Sequence, residues 1–85
     1  MFIEVPYFMQ VPSQAVEGEM LTEASIAYVN PELIDIIMPL ATPDKAGNTT
    51  VLLLETGTTV LANIPAADVA AIAIPQREAE VLTND

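Results

Sequence analysis

The side chains that could do chemistry in this chain are almost all carboxylates. Twelve Asp and Glu residues stand against two cations, Lys45 and Arg77, with no His and no Cys. Glu32 and Asp35 lie three apart, a spacing compatible with paired-carboxylate acid–base work. Asp44 and Asn48, with the carbonyls between them, have the oxygen chemistry that a hard cation accepts. Tyr7, Phe8 and Tyr28 could serve as a stacking platform for single-stranded nucleic acid. Each set also has a plainer reading, which is preferred. Two nearby acids usually form a solvated face; Asp44 to Asn48 lacks the calcium-loop spacing and reads as a turn; the three aromatics suit core or edge packing.

Other reaction classes lack their parts. A Ser or Thr nucleophile needs an activating base, and without His and with a single Lys the usual pairs cannot be assembled. The N-terminal Thr type is excluded by Met1. No phosphate-binding loop, no G-x-G-x-x-G and no glycine cluster occurs among three glycines. The expectation is a protein that is not an enzyme, with no catalytic residue, no cofactor and no metal.

A chain of 85 residues makes one domain, and at this size folding buries only about 60% of the surface the unfolded chain exposes. Domains this small usually need a supplement: disulfides, a metal or partner subunits. The absence of Cys and His removes disulfides and the common zinc ligands. Self-association remains, and a hydrophobic content of 52% points the same way. The formal net charge of −10 repels phosphate and anionic lipid, so no direct nucleic-acid binding and no membrane association are expected. A protein partner, basic if charge selects it, fits better. The first residues carry an early Glu and no basic segment, unlike a secretory signal, and no stretch approaches the ~20 apolar residues of a membrane span. The chain is therefore read as cytoplasmic, of bacterial or phage type, and Asn48-Thr49-Thr50 as a turn rather than a glycosylation site.

The elements that would position these groups are mostly strands. Phe2 to Met9 has strand-favouring residues interrupted by Pro6, which suits an edge strand. Residues 10–20 mix Pro, Ser, Gly and charge and read as a loop or arm. Leu21 to Val29 alternates as a strand, Asn30-Pro31 starts one helical turn through Ile34, and Asp35 to Leu40 returns to strand. A loop over residues 41–48 leads to Thr49–Glu55, where Val51-Leu52-Leu53-Leu54 is apolar on both faces, as in a central strand or one covered by a second subunit. Gly57 suits a tight hairpin into Thr58–Ile64. Pro65 fits the first position of a helix whose stripe is Ala66, Val69 and Ile72 and which stops before Pro75. The expected fold is mainly β: a small antiparallel curled sheet or partly open barrel of 4–5 strands with one short C-terminal helix. The domain spans residues 1–75, followed by a flexible acidic tail at 76–85.

The motif Asn30-Pro31-Glu32-Leu33-Ile34, followed by TTVLLLETG, a second β-branched strand and a helix containing DVAAI, resembles the small flagellar and swarming-motility protein family. The similarity covers Ala27 to Ile72, with Phe2 to Met9 standing for that family's first strand. The loop at Gln10–Glu19 and the acidic tail depart from its pattern. The resemblance implies a β-rich fold without catalytic residues; the motility role is not carried over.

Two functions from different classes follow. One is a non-catalytic protein–protein interaction or scaffolding module that forms a homo-oligomer through Val51, Leu53 and their strand, with Phe2, Tyr7 and Phe8 presenting an apolar edge to another protein. The other is an acidic phage-type inhibitor or nucleic-acid mimic that binds a host polymerase, nuclease or DNA-binding protein. Its carboxylates would stand in for phosphates, with Glu17, Glu19, Glu23, Glu32, Asp35 and Glu55 as the candidates.

Overall fold

The computed structural model describes the backbone of residues 1–83 and the side chains of residues 1–75. Its strands are β1 (Ile3–Pro12), β2 (Met20–Val29), β3 (Ile34–Pro39), β4 (Thr50–Leu54) and β5 (Thr59–Ala62), and one helix, α1 (Ala66–Thr83), closes the order. A single 3-10 turn at Pro31–Leu33 links β2 to β3. The strands form two antiparallel sheets, a β1–β2 hairpin and a β3-β4-β5 meander, with no closed barrel. The protein is mainly β, with the expected number of strands and the C-terminal helix.

Local chemistry explains most of the boundaries. The Asn30 side chain accepts a hydrogen bond from Glu32 N–H at 3.0 Å, and Pro31 pre-sets the backbone of the turn, so the Asn-Pro pair starts it as the sequence implies. Gly57, with φ of 88°, turns β4 into β5. The Pro65 carbonyl accepts from Asp68 and Val69 N–H, which places Pro65 one residue ahead of the first helical position.

Three expectations need correction. Residues 10–20 are not all loop: β1 runs through Pro12, β2 begins at Met20, and only residues 13–19 connect them. The helix does not stop before Pro75 but continues through it to Thr83, although Pro75 has no N–H to give to the carbonyl four residues back. Residues 76–83 of the expected tail are therefore helical, and 84–85 lie outside the described residues. The helix stripe also shifts, since Val69 and Ala73 are buried while Ile72 is 42% exposed.

Hairpin strands of ten residues span about 33 Å. This exceeds the two shorter dimensions of the molecule, 25 and 21 Å, so the hairpin runs at least partly along the 56 Å axis. Only its root joins the core. Ile3, Val5 and Val29 pack there with Ile34, Leu52, Ala62, Val69 and Ala73, while from Met20 to Ala24 every residue of β2 is exposed. Thr50 is buried among them and satisfies its hydroxyl by donating to the Ile64 carbonyl at 2.7 Å.

Candidate protein interaction surfaces

The hairpin is held to the rest of the molecule by a small loop with a specific polar design. Asp44 Oδ1 accepts from the N–H groups of Ala46, Gly47 and Asn48 at 3.0, 2.9 and 2.8 Å, and Asp44 Oδ2 accepts from Asn48 Nδ2 at 3.0 Å. These donors favour the charged carboxylate, so its pKa is lowered, first by the Asn48 side chain and then by its N–H. The backbone closes around it with Gly47 at φ 103°. Amide hydrogens, not carbonyl oxygens, converge on Asp44, so the loop is organised as a turn and not as a cradle for a cation. Among the described residues, no group of three or more potential metal ligands occurs.

This loop presents Asn48, only 1% exposed, to the outer edge of β1. Phe8 N–H donates to Asn48 Oδ1 at 2.8 Å, and Asn48 Nδ2 donates to the Phe8 carbonyl at 2.9 Å. The side-chain amide thus pairs with β1 as a neighbouring strand's peptide would. Gln10 Nε2 adds a bond to the Lys45 carbonyl at 3.1 Å, and Asn63 N–H donates to the Pro6 carbonyl at 2.9 Å.

These contacts fix which backbone groups face which way. Pro6 and Phe8 direct their polar groups away from β2, so with an unbroken register the even-numbered residues of β1 all do. Pro6 and Pro12 therefore remove no bond from the β1–β2 ladder, which is why a strand with two prolines forms at all. Opposite them, Met20, Thr22, Ala24, Ile26 and Tyr28 direct their N–H and carbonyl groups to the outer side of β2. Among the described residues, none of those groups has a hydrogen-bond partner.

A second uncovered surface is the outer face of β3-β4-β5. The registers place Ile36, Met38, Val51, Leu53, Thr59 and Leu61 on one face, opposite the buried Leu52, Thr50 and Ala62. Ile36 and Met38 are exposed, and Val51, Leu53 and Leu61 are half-buried. β4 is central, as its double-sided apolar pattern implies, but only the Leu52 side is sealed in the core. Ile36, Met38 and Leu61 belong to this face and were not legible in advance, because strand register decides who stands beside Val51 and Leu53.

The other expected site residues do not converge. Phe2 is 65% exposed just ahead of β1, whereas Tyr7 and Phe8 are half-buried on opposite faces of the strand, with Phe8 packed over Gly47. They form no single apolar edge. Tyr28, in the stacking set with Tyr7 and Phe8, lies on β2 and is 66% exposed. Glu17 and Glu19 sit on the loop at the hairpin tip and Glu23 on β2, while Glu32 lies on the 3-10 turn beyond the root and Asp35 is the extra residue of a β-bulge between Ile34 and Ile36. A ten-residue strand of about 33 Å separates Glu19 from the turn that bears Glu32, with Glu23 partway along it. A cleft of about 640 Å³ opens between β1, β5 and the Asp44–Asn48 loop; Tyr7, Phe8, Val60 and Leu61 are among its lining residues. Among the described residues, no helix is long and apolar enough to cross a membrane. No protein-family model, curated protein or solved structure matches this chain.

Proposed function

We propose that the chain is a non-catalytic protein–protein interaction or scaffolding module that self-associates and works in the cytoplasm. The observation that carries this reading is the outer face of β3-β4-β5, where five apolar residues and Thr59 hold the paired strand positions, none of them charged, with Asp35 standing at the β3 bulge beside them. In a chain with twelve acidic residues, keeping charge off every paired position of that face favours contact with another protein over hydration. The mimicry reading gains no such support, because its carboxylates are spread from the tip loop through Glu23 on β2 to Glu32 and Asp35 beyond the root instead of gathered on one surface.

Light scattering behind size-exclusion chromatography at ~100 µM tests this, combined with fluorescence of a dye that binds apolar surface. The expected result is a mass above the monomer and dye binding that Met38→Glu reduces. A monomer that binds no dye overturns the reading.

A further inference from the structure

We infer that the open edge of β2 pairs with the β2 edge of a second copy, antiparallel across a two-fold axis at Ala24. The inference rests on the reading of the protein as a self-associating module and assigns it a surface and a register.

The edge has few of the usual devices that prevent strand pairing. It presents five successive outward N–H and carbonyl pairs over Met20 to Tyr28 with no Pro, no Lys and no bulge. Its exposed side chains include Met20, Ile26 and Tyr28, at 50%, 47% and 66% exposure. The only charge along it is Glu23.

Geometry and charge then select the register. Outward-facing residues must oppose outward-facing residues, which admits axes at Glu23, Ala24 or Ser25. An axis at Glu23 sets two carboxylates directly opposite each other, which destabilises a pair of strands. An axis at Ser25 leaves the outward groups of Met20 beyond the paired region. The axis at Ala24 avoids both faults. Glu23 then opposes Ser25 of the other copy, and all five outward residues pair, making about ten hydrogen bonds, two at each facing pair. The same register sets Met20 beside the other copy's Tyr28, a thioether–aromatic contact, and lays Ile26 against Thr22. Each apolar side chain on the outward row gains a neighbour. The product is a continuous four-stranded sheet, closed on its outer sides by the two Asn48 loops.

Two chains of net charge −10 repel at long range, so salt strengthens this pairing, whereas it weakens docking onto a basic protein. The test uses Ala24→Lys and Ala24→Glu, which change an exposed side chain and leave the β1–β2 ladder intact; circular dichroism and thermal melts confirm folding. In light scattering at ~0.5 mM, the expected result is a dimer for the parent chain, tighter at ~0.5 M than at ~0.05 M salt. Each variant alone is a monomer, and an equimolar mixture of the two is a dimer again, because Lys and Glu then face across the axis. A parent monomer overturns the pairing, while dye binding decides separately on the sheet face. Association that survives Ala24→Lys also overturns it and leaves self-association to another surface. A mixture that stays monomeric overturns the axis at Ala24.

Discussion

The two outer edges of one hairpin have opposite fates. On the β1 side, Phe8 meets the Asn48 amide and Pro6 meets Asn63 N–H, and the sequence contributes prolines at outward positions where no donor is needed. On the β2 side, five outward residues meet nothing among the described residues, and no proline or cation blunts them. The lesson is that edge protection is assigned strand by strand. A polar loop forty residues away closes β1, and the same molecule leaves β2 available.

The contrast can be broken most severely at Asn48. Asn48→Leu removes both bonds to Phe8 and the one to Asp44, leaving part-buried backbone groups without partners, and should cost about 2–4 kcal/mol of stability. Urea denaturation should show a lower midpoint at an unchanged slope. Gly47→Ala comes next, at about 1–3 kcal/mol: the residue keeps a φ of 103°, and a Cβ would stand 3.4 Å from the Phe8 ring. Gly18→Ala, with nothing within 4 Å at the hairpin tip, should cost less in the same titration.

Asp44 gives the closed edge a pH dependence. Its folded pKa is held below the ordinary 3.8, so the stability it contributes is fully present above that value and lost as pH falls below 3.8 through the lowered one. Thermal melts from pH ~5 to ~3 should fall less steeply in Asp44→Ala than in the parent, and equal slopes would remove Asp44 from the account. The smallest effect belongs to the open edge. Thr22→Lys should change monomer stability by no more than about 0.5 kcal/mol, read by denaturation at low concentration, because its side chain is exposed and its N–H and carbonyl point away from β1.

Most strands and turns were legible from short-range patterns. Asn30-Pro31, Gly57 and Pro65 act through their own backbone preferences, and the apolar run at Val51–Leu54 marks a central strand wherever it lies. The far end of β1 was obscured because Pro12, Ser13 and Gly18 look like loop chemistry. Whether a proline interrupts a strand depends on which side its missing N–H faces, and that needs a partner strand. Pro75 misled for a related reason: the helix continues through it, at the loss of one backbone bond.

By itself, then, the sequence determined the β class, the order of elements, the acidic charge and the lack of the usual nucleophile–base pairs, since each follows from residue type or near neighbours. Tertiary structure alone decided that Asn48 closes β1, that Ile36, Met38 and Leu61 share a face with Val51 and Leu53, and that the candidate acids are spread along the hairpin and beyond its root. The physical reason is register: pairing sets which side of a strand each residue serves, and no local preference encodes a partner forty residues away.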